Sequence, residues 1–301
     1  MKPLILPLPG HIDRAGSLAG RLDAELGKMT VRRFPDGETY LRIDTPVERR
    51  AVALFGTLDR PDEKIWPLIF MAAAAKDLGA ARVGLIAPYL AYMRQDRRFQ
   101  AGEGISSVYF ARLLSGFVDW LVTVDPHLHR RGSLNEIYSI PTGVVHAAPL
   151  ISDWIRANIQ APVLIGPDTE SAQWLSEAAK GAGAPYLVLD KIRRGDREVE
   201  VSVSEVQRWR KHTPVLVDDI IATGRTLIET IGQLRKAGLP PPVCIGIHAI
   251  FAGPAYEDLR KAGAARVVTC DTVPHVTNGI DLTAILADGV RKMLESESND
   301  S

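Results

Sequence analysis

The densest chemistry in the sequence is the string Val215-Leu216-Val217-Asp218-Asp219-Ile220-Ile221-Ala222-Thr223-Gly224-Arg225-Thr226-Leu227. An apolar strand ends in two carboxylates, and the small and hydroxyl-rich stretch Ala222, Thr223, Gly224, Arg225, Thr226 then opens a helix. Such a loop can turn successive backbone N–H groups toward a phosphate, with the helix dipole assisting. Thr223 and Thr226 add hydroxyl donors, and Gly224 permits close backbone approach. Asp218 and Asp219 are placed to accept hydrogen bonds from the vicinal hydroxyls of a sugar. A Gly-Arg-Thr by itself would usually be an N-capped helix behind an acidic strand end. The whole string is far more specific.

Four other groups could act on the same kind of ligand. Phe34, Asp36, Gly37 and Glu38 put a ring face beside carboxylate acceptors, suited to stacking on and reading an adenine, or they form an ordinary hairpin turn. Arg94-Gln95-Asp96-Arg97-Arg98 supplies planar guanidinium forks for phosphate oxygens, or it is a solvated charged loop. His127 follows the end of a strand, where open α/β sheets gather ligands. Beside a carboxylate and phosphates such a histidine would meet a metal or a metal-bound water, although Mg²⁺ prefers oxygen, and a histidine in this position more often serves the fold. His129, two residues on, has no role of its own in the sequence. Lys191 and Arg193 stand at i and i+2 in an extended segment and project to one face, so both cations could hold one phosphate. Spacing alone would equally suit a basic surface hairpin.

The elements that must position these residues are legible as periodicity. Apolar, β-rich runs near 3–8, 51–56, 82–88, 120–124, 163–166, 186–189, 215–217, 243–250 and 267–271 predict strands. Helix-length amphipathic segments lie between them near 17–26, 63–78, 106–116, 150–158, 170–180, 226–237, 255–262 and 282–294. Continuous apolar strands alternating with helices predict α/β architecture with open, mostly parallel sheets covered on both faces. Residues 29–34 and 38–43 flank Pro35-Asp36-Gly37 and predict a β-hairpin. Residues 197–203 alternate polar and apolar and predict a ribbon with one polar face. Strand ends at Asp125-Pro126-His127 and Asp218-Asp219 occur in corresponding places of the two halves, which suggests a duplicated open α/β domain. We expect one domain over 1–147, able to take back the helix over 282–295, and a second over 148–281.

Composition sets the limits. The chain has 301 residues, 46% of them apolar, enough for cores in two domains. Lys plus Arg and Asp plus Glu both number 36, so no global field recruits nucleic acid or an anionic membrane surface. The longest purely apolar run, Trp66 to Ala75, is too short to span a bilayer. Met1-Lys2-Pro3-Leu4-Ile5-Leu6 runs into Pro7 and Pro9 without the apolar core of a secretory leader. Cys244 and Cys270 lie in apolar runs and read as small core hydrophobes, in keeping with a reducing, cytoplasmic setting.

The 215–227 string resembles the phosphoribosyl-diphosphate signature shared by type I phosphoribosyltransferases and phosphoribosyl-diphosphate synthases. Arg33-Phe34-Pro35-Asp36-Gly37-Glu38, Arg94 to Arg98, Val124-Asp125-Pro126-His127 and Leu189-Asp190-Lys191-Ile192-Arg193 precede it in an order and spacing similar to ribose-phosphate diphosphokinase. The resemblance continues through His248 to Ala255, Cys270 to Pro274 and Leu282 to Ala287, and so covers nearly the whole chain. It implies two domains of the phosphoribosyltransferase type and the reaction of ATP with ribose 5-phosphate to 5-phosphoribosyl 1-diphosphate and AMP. It further implies Lys191 and Arg193 as catalytic cations, with Arg193 also touching substrate. Phe34, Asp36, Gly37, Glu38, Arg94, Gln95, Asp96 and His127 would serve ATP, and Mg²⁺ would lie near His127 and Asp168. Asp218, Asp219 and Ala222 to Thr226 would hold ribose 5-phosphate.

Because Phe34, Asp36 and Glu38 would reach a neighbour's ATP site, the resemblance also implies a homo-oligomer built on dimers. Departures exist. Asp168-Thr169-Glu170-Ser171-Ala172 replaces the family's usual glycines after its Ser-Pro-Asp. The short segment 42–51 and the lack of an aromatic C-terminal extension look closer to short, archaeal-type members, and predict activity independent of inorganic phosphate. A phosphoribosyltransferase would explain the sugar loop but neither the Arg-Gln-Asp nor the Phe-Pro-Asp-Gly-Glu segment. A non-catalytic regulatory homologue is disfavoured by intact Lys191, Arg193 and Asp218, while the altered 168–172 loop leaves it open.

Overall fold

Short runs of Leu, Ile, Val and Ala without polar alternation form the strands, and in the computed structural model the central ones are buried along their length. That is the pattern a parallel sheet needs when helices cover both faces. The structure describes residues 1–166, 172–188, 192–194, 197–199 and 208–295, with backbone alone at 172–173, 192–194 and 197–199. The chain divides into two units, Met1–Val145 with the segment from Thr283, and His146–Leu282.

The first unit runs β1 (Leu4–Pro7), α1 (Ile12–Leu22), β2 (Glu25–Leu26), a hairpin of β3 (Met29–Arg33) and β4 (Thr39–Ile43), and β5 (Ala51–Phe55). It continues through α2 (Pro61–Asp77), β6 (Arg82–Ala87), α3 (Ser106–Ser115), β7 (Trp120–Val124) and β8 (Thr142–Val145). The sheet order is β2-β1-β5-β6-β7-β8, parallel throughout. Gly84 of β6 pairs in register with Trp120 of β7, the bulkiest fully buried side chain. A Cβ on Gly84 would lie 1.8 Å from the Trp120 ring, so the glycine makes room for the indole.

The second unit runs α4 (Ala148–Asn158), β9 (Pro162–Gly166), α5 (Ala172–Ala182), β10 (Tyr186–Val188) and a ribbon of β11 (Ile192–Arg194) and β12 (Arg197–Val199). Then come β13 (Thr213–Ile221), α6 (Arg225–Lys236), β14 (Val243–Ala249), α7 (Ala255–Ala262), β15 (Arg266–Cys270) and β16 (Asn278–Ile280). Its order, β10-β9-β13-β14-β15-β16, repeats the first sheet strand for strand. In each unit an antiparallel ribbon is inserted between the second and third sheet strands. The suggested duplication is thus matched by topology. The last helix, α8 (Thr283–Glu295), belongs to the first unit and packs on α1, β7 and β8 through buried Leu286, Ala287 and Val290.

Several boundaries differ from expectation. The helix expected over 17–26 is α1, which ends earlier because Asp23 adopts a left-handed conformation (φ 50°) and its N–H bonds the Ala19 carbonyl. Residues 25 and 26 then pair with Leu4 and Ile5 as a sheet edge. Strands β2, β8 and β16 had no apolar run to announce them; they are short edge strands. β13 does not stop before Asp218: it continues to Ile221 because β14 supplies a partner as far as Ala249. Of the expected 197–203 ribbon, residues 200–203 lie outside the described residues. Cys244 and Cys270 are free and buried, and burial, then the charge of Asp218, pushes the Cys244 thiol up to about 12. Among the described residues no helix is long and apolar enough to cross a membrane.

Candidate active site

In the second unit the chain leaves β9 toward β10 on one side and leaves β13 toward β14 on the other. Between β9 and β13 the strand order therefore reverses, the switch point at which open α/β sheets bind ligands. The loop after β13 is the sugar-loop candidate. Asp218 and Asp219 sit half-buried near its entry, with Asp218 in register with Gly246. Ala222 follows, then exposed Thr223 and buried Gly224, which takes φ 66° as the residue preceding α6. The hydrogen-bond ladder of α6 begins with Ile228 N–H to the Gly224 carbonyl at 2.9 Å, so the first-turn N–H groups of Arg225 and Thr226 lie outside it. Arg225 is exposed and Thr226 half-buried.

Beneath the loop α6 buries Leu227, Thr230, Ile231 and Leu234 on one stripe, packed with Ile165, Leu216 and Ile221. A second strand-end loop braces it: Phe251 N–H bonds the Ile221 carbonyl and Ala252 N–H the Ala222 carbonyl, each at 2.9 Å. Phe251 holds φ 34° there, a strained value for a side-chain-bearing residue, and its ring lies 4.4 Å from His275 and 5.7 Å from Tyr256. Burial keeps His275 below the usual imidazole range. Asp168 and Lys191 lie outside the described residues, and Arg193 is described by backbone alone, on β11.

The remaining candidates are in the first unit. At the hairpin tip Phe34 N–H bonds the Glu38 carbonyl and Gly37, at φ 96°, closes the turn through its N–H to the Phe34 carbonyl. The Asp36 carboxylate accepts the Glu38 N–H at 3.1 Å. The Arg32 guanidinium stands 4.8 Å from the Phe34 ring and 4.3 Å from Tyr40. The whole tip, Phe34 to Glu38, is exposed.

Arg94, Gln95 and Asp96 lie between β6 and α3 and face different ways. Arg94 is exposed. The Gln95 amide donates to the Arg97 carbonyl, the Glu103 carboxylate and the Gly104 carbonyl. Asp96, expected to meet nucleotide, is buried with its carboxylate turned to Arg130. Glu103 closes the loop by accepting N–H bonds from Phe99 at 2.7 Å and Gln100 at 3.0 Å, which hold its carboxyl below the usual range. The Tyr92 hydroxyl bonds Asp62, and that bond, more than burial, raises it to about 12.

His127 lies just past β7, half-buried, after Asp125 at φ 31°. Its ring centroid is 3.8 Å from that of His129. His129, Glu103, Arg130 and Arg131 are thus parts of these loops that the sequence reading did not assign. A His-x-His spacing in extended chain, which puts both rings on one side, was the available signal for His129.

Two family models match the chain: the N-terminal domain of ribose phosphate pyrophosphokinase over residues 4–117, and the phosphoribosyl transferase domain over residues 133–284. The ribose-phosphate pyrophosphokinase of Methanothermobacter thermautotrophicus is 34% identical over 275 residues, 91% of this chain and 95% of its own. That of Methanopyrus kandleri is 34% identical over 278 residues, 92% of this chain and 94% of its own. The solved phosphoribosylpyrophosphate synthetase of Mycobacterium smegmatis matches with a TM-score of 0.86 at 25% identity, covering 98% of this chain and all of that one. With both halves matched in order and archaeal relatives aligned over nearly their whole length, the chain belongs to the ribose-phosphate pyrophosphokinase family, as an enzyme similar to its archaeal members.

Proposed function

We propose that this enzyme transfers the diphosphoryl group of Mg-ATP to the 1-hydroxyl of ribose 5-phosphate, giving 5-phosphoribosyl 1-diphosphate and AMP for nucleotide biosynthesis. The 1-hydroxyl oxygen forms a bond to the β-phosphorus and gives up its proton to solvent, the bond from that phosphorus to the α–β bridging oxygen breaks, and AMP leaves with the bridging oxygen. The observation that carries this reading is the strand–loop–helix of β13 and α6 at the switch point of the second sheet. Ala222 to Thr226 hold the 5-phosphate with N–H groups and hydroxyls, and Asp218 and Asp219 accept the ribose hydroxyls. Lys191 and Arg193 stabilise charge on the transferring group, so catalysis rests on positioning and electrostatics.

Phe34 offers its ring to the adenine, with Asp36, Gly37 and Glu38 beside it, and Arg94 meets the nucleotide from a loop that Gln95 helps to hold. Mg²⁺, when bound, neutralises phosphate charge. The paired imidazoles of His127 and His129 fit its water shell better than its inner sphere, since the ion takes oxygen ligands; Asp168 would supply an oxygen. The exposed hairpin tip suits contact with a second copy of the chain, and light scattering at assay concentration should read a dimer or larger. A fully active monomer contradicts that assembly.

The test is AMP release by purified protein from ATP and ribose 5-phosphate with no nucleobase present. AMP formed in proportion to ribose 5-phosphate supports the proposal. Diphosphate released from phosphoribosyl diphosphate only with a nucleobase would make the chain a phosphoribosyltransferase. ATP binding without turnover would make it a regulatory homologue.

A further inference from the structure

The loop after β6 carries Arg94 and the loop after β7 carries His127, and these strands are parallel neighbours in the first sheet. An ion pair joins the loops. The Asp96 side chain is 2% exposed, and Arg130 Nη1 stands 3.3 and 3.4 Å from its two oxygens. Arg131 adds a second tie, donating from Nη2 to the Asp96 carbonyl at 3.1 Å while its other nitrogen stands 3.6 Å from Glu136. Phe99, farther along the Arg94 loop, has the Arg97 guanidinium 4.9 Å and the Arg130 guanidinium 5.7 Å from its ring.

A carboxylate this buried is costly unless paired, and removing one partner leaves the other charge stranded. The pair therefore couples the two loops: the place of Arg94 relative to His127 depends on both Asp96 and Arg130. In sequence the partners are 34 residues apart, each inside a charged run that would suit solvent.

We infer that Asp96 and Arg130 are positioning residues that act as one unit, setting the Arg94 loop against the His127 segment and thereby the geometry in which nucleotide is held. Asp96 thus serves ATP through Arg130 rather than by touching it. The inference rests on the proposed function for the word nucleotide, but the coupling of the loops stands apart from it.

Three variants of the full chain test it: Asp96→Asn, Arg130→Gln and the double substitution, with Arg130→Lys in reserve should Arg130→Gln fail to fold. Each single change should raise KM for ATP about tenfold and lower kcat several-fold, because misplacement of a positioning loop is costly. KM for ribose 5-phosphate should stay within about twofold, Arg130→Lys should recover part of the loss, and the double should be no worse than the poorer single.

Trypsin nicking after exposed Arg97 or Arg98, without substrates, should quicken about tenfold in both single variants, the range expected when a tie of roughly 1.4 kcal/mol is lost. An Arg130→Gln enzyme with the wild-type KM for ATP, or losses that multiply in the double, would mean that Asp96 meets the nucleotide directly and would overturn the inference. Unchanged nicking, or lower thermal stability with every KM unmoved, would also overturn it. If the wild-type chain releases no AMP, the proposed function fails while the nicking comparison still decides the coupling.

Discussion

Lys191→Ala is expected to lower kcat by about 10²–10³, the scale for removing one preorganised group that stabilises charge in the transition state. Negative charge shifts between the diphosphoryl oxygens and the leaving AMP during transfer. An ammonium that meets this charge binds the transition state more tightly than the reactants, so the loss should appear in kcat rather than in binding. KM for ATP and for ribose 5-phosphate should each move by less than about threefold. Arg193→Ala should show a related loss. Because Lys191 and Arg193 stand two apart in the sequence, both would meet one phosphate, and the double variant should fall short of the product of the singles. Steady-state AMP release on folded variants is the measurement. Turnover within about threefold of wild type for Lys191→Ala is what truncation of an exposed basic side chain gives, and it would remove the main cation from the mechanism.

Replacing Asp218 and Asp219 together by asparagine should weaken ribose 5-phosphate binding by about 10–100-fold and leave ATP affinity within about twofold. Hydrogen bonds to charged acceptors contribute about 1.5–3 kcal/mol each, and an amide keeps the shape while losing the charge and one acceptor. Both residues lie on β13, whose partner β14 continues beyond them, so the substitution changes acceptors on a paired strand rather than on a free loop. Separate calorimetric titrations with ribose 5-phosphate and with a non-hydrolysable ATP analogue decide the matter. Unchanged ribose 5-phosphate affinity in a protein of normal thermal stability would remove the sugar from this site.

Much of the fold was legible one residue at a time. The apolar runs that became β1, β5, β6, β7, β9, β13, β14 and β15 are continuous because parallel strands are buried on both faces, and burial is written in composition. The Pro35-Asp36-Gly37 turn announced its hairpin because only a few residue types accept that backbone. The edge strands β2, β8 and β16 were not legible, since two to four residues on a sheet margin need no apolar run. Nor was the true extent of β13, because a strand continues as long as a neighbour offers hydrogen bonds, and that neighbour begins 22 residues after β13 ends.

The site divides along the same line. By itself the sequence determined which groups are available: carboxylates before a small-residue loop, a Lys-x-Arg, a ring beside acids, an Arg-Gln-Asp, a His after a strand. Local spacing sets these, since a loop that turns N–H groups toward phosphate needs its small residues adjacent in the chain. Tertiary structure alone decided what each group faces. Asp96 stands in a charged run that would suit solvent, and the resemblance assigns it to ATP, yet strand order brings Arg130 to it and turns it inward. His129 has no role until its ring is seen against His127, and Gly84 none until Trp120 arrives in register. A side chain's chemistry is intrinsic, but its partner is chosen by which strands lie side by side, and no periodicity along the chain encodes that choice.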